Sequence, residues 1–318
     1  PQGSILGPLL YCLYTRPVGR IFSQRELSYH CYADDTQGYT VLETPDKWQD
    51  TTATIQACMA DLEAWMAANK LKLNQDKFEY IIFHPQSANF ARENFTITFD
   101  ELTHTPSKSV KNLGVMFDES LTMESQVNNV ARSCRYQLRS ISKIRNFLDD
   151  ESCKTIVNAL VTSRLDYANS LLYGVPDRLI KKLQLVQNSA ARLVTREPMR
   201  EHITPILINL HWLKVKYRVI YKILVLCQKS FQKKAPAYLN VKQHDPGREL
   251  RETTQNRLEV PHARTMNYGE RNVEFAMARE WNKLPPDLRR HLSQSDSSST
   301  GFKKKLKTYL FRQCYNLT

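Results

Sequence analysis

The sequence is short of the residues that build common nucleotide-binding and disulfide-bonded scaffolds. Only 9 of its 318 residues are glycine, and no Gly-x-x-x-x-Gly-Lys segment occurs, which excludes a glycine-rich phosphate loop. The seven cysteines never form a Cys-x-x-Cys pair, and their odd number argues against a disulfide framework as well as a zinc ribbon. A reducing compartment is therefore expected for this chain.

Signatures of serine hydrolases and membrane spans are also missing. The first glycines have the spacing Gly-Ser-x-x-Gly over residues 3–7, whereas a nucleophile elbow needs Gly-x-Ser-x-Gly. The longest apolar run, 219–227, is interrupted by Lys222 and is far too short to cross a bilayer. The N-terminal segment lacks the basic start of a signal peptide, so no membrane is expected among the partners.

Charge is abundant and unevenly distributed. The chain has 45 Lys and Arg against 32 Asp and Glu, a net charge of +13. Residues 1–100 carry 8 basic and 12 acidic side chains, whereas residues 101–318 carry 37 and 20. Because a basic excess attracts phosphate backbones in a salt-sensitive manner, nucleic acid is expected to bind to the later part of the chain.

The sharpest chemical signal is Tyr-Ala-Asp-Asp at 32–35, between two β-prone stretches at 27–32 and 36–42. Aspartate tolerates turn dihedrals, so Asp34 and Asp35 at a hairpin tip can both face one side. Hard cations such as Mg²⁺ prefer carboxylate oxygen, which points to phosphoryl or nucleotidyl transfer. The aromatic and apolar flanks suggest a buried or half-buried hairpin, where the carboxylates would need a cation. A solvated acidic turn without a ligand is the alternative.

Three further blocks accompany the acidic pair in order along the chain. Residues 1–10 read Pro-Gln-Gly-Ser-Ile-Leu-Gly-Pro-Leu-Leu, residues 65–74 read Trp-Met-Ala-Ala-Asn-Lys-Leu-Lys-Leu-Asn, and residues 111–118 read Lys-Asn-Leu-Gly-Val-Met-Phe-Asp. Together with the acidic pair they resemble blocks in the palm of reverse transcriptases from non-LTR retrotransposons (LINE elements). Weaker similarity to the tails of jockey-like retroelement polyproteins continues at 164–174, 185–192, 281–285 and 302–307.

The resemblance implies an RNA-directed DNA polymerase that uses an RNA template, a DNA primer and dNTP, with Mg²⁺ or Mn²⁺ as cofactor. It implies that Asp34 and Asp35 are catalytic metal ligands, of which Asp34 is the leading one. Lys77 matches a position proposed to protonate the leaving pyrophosphate; a solvated loop lysine is the alternative. The residues implied to bind substrate are Gln2, Gly3 and Tyr32.

Nucleic acid would be held by later segments. The resemblance places Leu113 and Gly114 in the primer-grip hairpin. Between residues 121 and 148, apolar residues recur at helical spacing, and the helix occupies the position of a polymerase thumb. Its other side carries a basic stripe, which in a thumb would follow the template–primer backbone. A solvated surface face is the alternative. The stripe consists of Arg132, Arg135, Arg139 and Lys143.

The expected fold class is α+β: a partial polymerase palm, with helices on an antiparallel sheet and a catalytic hairpin, followed by a mostly α-helical thumb and C-terminal region. The predicted domains are the palm at 1–118, a helical thumb and C-terminal extension at 119–242, and a linker with a basic tail at 243–318. Helices are predicted at 6–20, 46–69, 121–148, 151–168, 178–194 and 213–231. Strands are predicted at 79–84, 95–99 and 113–117. Segments predicted as linker, disordered and basic amphipathic are 243–256, 292–301 and 302–310.

One expectation limits the activity of the chain. In the family, a further metal-binding aspartate precedes the first block, and this sequence starts at Pro1. We therefore expect the chain alone to be inactive, because two carboxylates on one hairpin cannot hold two ions in the required geometry. The competing function is a non-catalytic, retroelement-derived RNA-binding protein. Nuclear access would follow only from the life cycle of an active retroelement.

Overall fold

The computed structural model describes residues 4–74, 77–85, 95–99, 102–239, 241–244, 256–293 and 299–317. The chain divides into two compact units, residues 1–120 and residues 121–318. The first unit mixes helices with antiparallel strands, and the second is almost entirely helical. The α+β class expected from the sequence is therefore confirmed.

Three helices belong to the first unit: α1 (Gly7–Thr15), α2 (Val18–Gln24) and α3 (Trp48–Ala68). The single helix predicted over 6–20 is divided, because Pro17 has no N–H with which to continue the hydrogen bonds of α1. The prediction of a helix over 46–69 is confirmed by α3. Asn69 is its C-cap, and the Asn69 side-chain amide donates to the Trp65 carbonyl at 2.8 Å.

The strands described in the first unit pair as three antiparallel hairpins. They are β1 (Ser28–Tyr32) with β2 (Asp35–Tyr39), β3 (Ile97–Phe99) with β4 (Leu102–His104), and β5 (Ser109–Asn112) with β6 (Val115–Asp118). The strands predicted at 95–99 and 113–117 are confirmed in part: residues 97–99 form β3 and residues 115–117 lie in β6, whereas residues 95–96 precede β3 and residues 113–114 form the turn between β5 and β6.

The prediction of a strand over 79–84 is wrong. The backbone hydrogen bonds of this segment are isolated: the Ser107 N–H donates to the Tyr80 carbonyl, and the His84 N–H donates to the Glu119 carbonyl. These bonds do not form the regular series that a β-strand requires. The segment is instead fixed by a side chain. The Tyr80 hydroxyl lies 2.8 Å from the Phe95 carbonyl and 3.1 Å from the His104 carbonyl, and burial raises the pKa of Tyr80 to about 12.

Helices α2 and α3 enclose the core of the first unit. Across its edge, Arg25 and Asp61 form an ion pair at 2.7 Å. By contrast, α1 buries none of its residues, and the leucines along it are each more than half exposed. The buried core side chains are Val18, Ile21, Phe22, Leu27, Cys58 and Leu62.

In the second unit, α4 (Glu124–Ile144) runs parallel to α7 (Asp177–Thr195). Arg178 at the start of α7 donates two 2.8 Å bonds to Glu124 at the start of α4. Helix α4 is shorter than the predicted 121–148, because Met123 is left-handed at φ +62° and a 3₁₀ turn over 145–147 follows the helix. The prediction of a helix over 178–194 is confirmed by α7.

Further helices complete this unit. The helix predicted over 151–168 is interrupted, since a π-helical turn at Asn158–Thr162 separates α5 (Asp150–Val157) from α6 (Ser163–Asp166). The sequence did not predict α8 (Ile203–Asn209), whereas α9 (Val215–Phe231) matches its prediction.

The C-terminal segment contains α10 (Val273–Asn282), α11 (Pro286–Ser293) and α12 (Ser299–Tyr315). Helices α10 and α12 pack on α9, and α11 packs against α12. The amphipathic segment predicted over 302–310 is confirmed, because Phe302, Leu306 and Leu310 are buried in α12.

The two polar segments predicted near the C-terminus have different outcomes. The prediction of disorder over 292–301 is wrong at both ends, since they lie in α11 and α12; residues 294–298 are outside the described part of the chain. Most of the predicted linker, 245–255, is also outside it. Among the described helices, none has the length and apolar composition needed to cross a membrane.

A buried arginine joins the ends of three of these helices. Arg145 is only 6% exposed, and its guanidinium donates to the Leu193 and Val194 carbonyls at the end of α7, each at 2.7 Å. It also donates to the Leu148 carbonyl at 2.6 Å and to the carboxylate of Asp150 in the first turn of α5. The planar guanidinium of one arginine therefore donates hydrogen bonds to groups in three segments.

Candidate active site and nucleic-acid interface

The acidic pair lies at the tip of the β1–β2 hairpin. Tyr32 and Asp35 are the last paired residues, so Ala33 and Asp34 form a two-residue turn. Ala33 has φ +54°, a left-handed conformation that costs an alanine about 1–2 kcal/mol. Both carboxylates are exposed, and solvent, a cation or a substrate can reach them.

The expectation of a buried or half-buried hairpin is wrong. Every residue of β1 is exposed, and so is every residue of β2 except Gln37, which is half-buried. The reason is that, among the strands the structure describes, β1 and β2 pair only with each other, so no larger sheet encloses them. The case for a cation therefore depends on the position of the two carboxylates, and burial adds nothing to it.

Helix α2 supports this hairpin from one side, and two glycines allow the close approach. A Cβ atom on Gly38 would lie 2.7 Å from Cε1 of Phe22, and one on Gly19 would overlap the ring of Tyr29. The rings of Phe22 and Tyr29 stack with their centroids 5.6 Å apart. A glycine inside a strand pattern signals such an approach, and Gly38 was not recognised from the sequence as this kind of residue.

The hairpin is also tied to the β5–β6 hairpin. Gln37 donates from Nε2 to Oδ1 of Asn112 at 2.6 Å. Asn112 directly precedes the β5–β6 turn, where Leu113 and Gly114 have φ +43° and +81°. The structure thus brings two of the predicted site segments together. Neither Gln37 nor Asn112 was identified from the sequence, because their partnership joins segments 75 residues apart.

A tyrosine of α1 lies within electrostatic range of the acidic turn. Burial raises the pKa of Tyr11, and the charges of Asp34, Cys12 and Cys31 raise it further. The aromatic character of α1 was the only sequence signal for this residue.

The remaining predicted residues of the first unit have different surroundings. Lys77 is exposed, and its N–H donates to the Asn74 carbonyl at 3.2 Å. Tyr32 is exposed at the end of β1. Gln2 and Gly3 lie outside the described residues.

The ligand set near the acidic turn is small. Within the described ranges, no group of three or more His, Cys, Asp or Glu side chains could hold a metal ion. Two accessible carboxylates nevertheless fit an ion such as Mg²⁺, which is commonly held by one or two carboxylates together with water and substrate phosphate.

The basic stripe predicted from the sequence lies on the outward side of α4. The opposite side is buried, with Val127, Cys134, Leu138 and Ile141 in the core. In the part of the chain that the structure describes, no carboxylate forms an ion pair with any cation of the stripe. The exposed stripe residues are Arg132, Arg135, Arg139 and Lys143.

Two of the blocks that resemble retroelement tails have structural contacts. Asp166 forms an ion pair with Arg218 of α9 at 2.6 Å. Trp281 is buried and donates from its indole N–H to the Asn256 carbonyl at 2.7 Å. Asn282 bonds both the N–H and the carbonyl of Leu258, at 2.9 and 2.8 Å. These side chains bond α6 to α9 and α10 to residues 256 and 258.

Comparison with known proteins shows what the first unit is similar to. Residues 1–117 match the family model described as reverse transcriptase (RNA-dependent DNA polymerase). This match covers the acidic hairpin, its supporting helix and nearly all of the β5–β6 hairpin. No solved structure matches the chain.

Curated relatives make the assignment more specific. The chain is 28% identical over 206 residues to the probable RNA-directed DNA polymerase from transposon X-element of Drosophila melanogaster, covering 61% of this chain and 21% of the relative. It is 26% identical over 209 residues to the RNA-directed DNA polymerase from mobile element jockey of Drosophila funebris, covering 62% and 22%. The chain thus spans about a fifth of the length of these relatives. The resemblance to reverse transcriptases of non-LTR retrotransposons is confirmed.

Proposed function

We propose that this chain is part of an RNA-directed DNA polymerase of a non-LTR retrotransposon. The observation that carries the proposal is the exposed pair Asp34 and Asp35 at a hairpin tip inside the segment that matches the reverse transcriptase family. The substrates would be an RNA template, a DNA primer and dNTP. Residues 1–118 would form part of the palm, 119–242 the thumb and helical extension, and 243–318 a linker and basic tail.

Asp34 and Asp35 would hold Mg²⁺ or Mn²⁺. When bound, divalent ions would activate the primer 3′-hydroxyl and stabilise the leaving pyrophosphate. The Gln37–Asn112 bond fixes the hairpin that carries them beside the β5–β6 turn.

Other residues would bind or orient the substrates. The exposed ring of Tyr32, together with Gln2 and Gly3, would contact the incoming nucleotide. Lys77 would protonate the leaving pyrophosphate. Nucleic acid would be held by Leu113 and Gly114 at the β5–β6 turn and by the stripe of Arg132, Arg135, Arg139 and Lys143 on α4, where four unpaired cations suit a phosphate backbone.

We also propose that this chain by itself does not polymerise. Two carboxylates on adjacent residues supply too few ligands for two ions, and the described part of the first unit adds no third acidic, histidine or cysteine ligand near them. Its contribution would be one half of a metal site and a surface for nucleic acid.

Metal binding tests the site directly. Paramagnetic broadening by Mn²⁺ would be measured in the wild type, Asp34→Asn and Asp35→Asn. We expect broadening around the β1–β2 turn in the wild type and its loss in both variants. Asp50→Asn is the matched control, because Asp50 is an exposed acid elsewhere in the same unit. Equal broadening in all four proteins would contradict the metal site.

A primer-extension assay tests the proposal that this chain does not polymerise by itself. With a primed RNA template, dNTP and Mg²⁺, we expect no synthesis by this chain. Synthesis that is abolished by Asp34→Ala would disprove the proposed inactivity and support the polymerase assignment.

A non-catalytic RNA-binding protein is the second candidate, and the unpaired basic stripe on α4 favours it. It predicts RNA binding that is unchanged in Asp34→Asn and independent of divalent metal. Mn²⁺ binding at the acidic turn would argue against it, since a protein that only binds RNA has no need for that site.

A further inference from the structure

The outward side of α4 carries exposed aromatic rings among its cations. Tyr136 is 69% exposed, and Phe147, in the 3₁₀ turn after the helix, is 87% exposed. Rings this exposed contribute little to the burial of apolar surface that stabilises the fold. Beside a basic stripe, they suit a ligand that has both negative charge and flat apolar faces.

The helix geometry places Tyr136 along the edge of the stripe. At 100° per residue, Tyr136 points within about 60° of Arg132, Arg139 and Lys143 and about 100° away from Arg135. Arg132 and Lys143 are about 16 Å apart along the helix axis, at 1.5 Å per residue, so cations precede and follow the ring. Phe147 is exposed four residues after Lys143, in the 3₁₀ turn that follows the helix.

The charges on this side have the same sign. Helix α4 contains no acidic residue after Glu124, and Glu124 is bonded to Arg178. Arg132, Arg135, Arg139 and Lys143 follow one another at spacings of three or four residues. Like charges at these spacings destabilise a helix, so the stripe works against the stability of α4 unless a polyanion neutralises it.

We propose that the α4 face, defined as Arg132, Arg135, Tyr136, Arg139, Lys143 and Phe147, binds single-stranded nucleic acid. Bases stack on Tyr136 and Phe147 while the cations contact the phosphates between them. The inference builds on the proposed nucleic-acid binding of this helix and goes beyond it, because it specifies an unpaired strand. In a duplex, neighbouring bases cover each other's faces, whereas a single strand can present them to aromatic rings.

Fluorescence anisotropy of the full chain with three labelled ligands tests this proposal. The ligands are a single-stranded RNA of about 12 nucleotides, the same RNA as a duplex, and an abasic strand of equal length that keeps the phosphates. We expect the wild type to bind the single strand more tightly than the other two.

The variants separate stacking from charge. Tyr136→Ala should weaken single-strand binding about tenfold and remove the preference over the abasic strand, whereas Tyr136→Phe should retain both. Tyr238→Ala is the matched control, since Tyr238 is also 69% exposed and lies outside α4. Arg135→Ala should weaken binding of all three ligands and reduce the salt dependence by about one phosphate contact. Circular dichroism verifies that the variants fold.

Each outcome has a distinct meaning. Equal binding of the three ligands, or equal effects of Tyr136→Ala and Tyr238→Ala, overturns stacking and leaves charge-based binding intact. If no nucleic acid binds at low salt, both this inference and the nucleic-acid part of the proposed function are wrong. A polyglutamate peptide that binds more tightly than any nucleic acid would make the α4 face a protein-binding surface and overturn the inference.

Discussion

The role of Arg145 leads to the sharpest prediction about stability in the second unit. Arg145→Ala would remove the donors to three backbone carbonyls, two of them at the C-terminal end of α7. A buried acceptor left without its donor costs about 1–3 kcal/mol, and the three carbonyls here are partly or fully buried, so the total is on the order of 3–5 kcal/mol. We expect a loss of that size in the free energy of unfolding.

The contribution of the carboxylate can be separated from that of the carbonyls. The Asp150 side chain is largely exposed, so solvent screens its attraction to Arg145 and Asp150→Asn should cost about 1 kcal/mol or less. Arg145→Lys should recover only part of the stability, since an ammonium cannot reproduce the planar set of donors that reaches all three carbonyls.

Urea unfolding followed by circular dichroism measures these differences, and the slope of the transition reports whether the exposed area has changed. Arg139→Ala is the control: it removes an exposed cation from α4, the helix that precedes Arg145, and should change stability by about 0.5 kcal/mol at most. If Arg145→Ala cost no more than this control, the role assigned to the buried guanidinium would be wrong.

Three further predictions concern the first unit. Gly38→Ala should destabilise it by about 1–3 kcal/mol, because the new methyl group would meet a phenylalanine ring of α2. Gly7→Ala is the control and should be tolerated, because the nearest atom to its new methyl group is 3.8 Å away. Thermal unfolding of the two variants compares their stability. Tyr80→Phe should cost about 1–2 kcal/mol by leaving two carbonyl contacts unmade. The ordinary pKa of tyrosine is 10.0 and burial raises that of folded Tyr80 to about 12, so its stabilising effect should be complete below pH 10 and fall as the pH rises towards 12. Denaturant titrations at several pH values should show a steeper fall over this range in the wild type than in Tyr80→Phe. Replacing Leu9 and Leu13 by Lys should lower the binding of an apolar dye without lowering stability, since both are more than half exposed; a clear loss of stability would show that they are packed.

Long helices with a strong apolar period could be predicted from the sequence. The periodic residues Val127, Cys134, Leu138 and Ile141 are all buried on one side of α4. Their burial follows from local spacing, because any partner of such a helix has to cover the same side. The interruption at 158–162 could not be predicted this way, since a π-helical turn leaves the composition of the segment unchanged.

The candidate site was predicted in part. The turn position of Asp34 followed from turn-forming residues between β-prone stretches. The exposure of the hairpin could not be predicted, because burial depends on what packs against a strand and not on the strand's own sequence. For the same reason the bond between Gln37 and Asn112 was missed: two common amides far apart in the chain have no local signature.

Helix α1 has a thermodynamic property that follows from its lack of burial. It has nine residues, and isolated helices shorter than about 12–15 residues are marginal in water because nucleation is costly. The Tyr14 hydroxyl of α1 donates to the Asn69 carbonyl at the end of α3. The helical and coil states of α1 are therefore close in free energy, and any apolar surface that docks on its leucines would shift that equilibrium towards helix. Since α1 also carries Tyr11, such docking would also order the phenol whose pKa the charge of Asp34 raises.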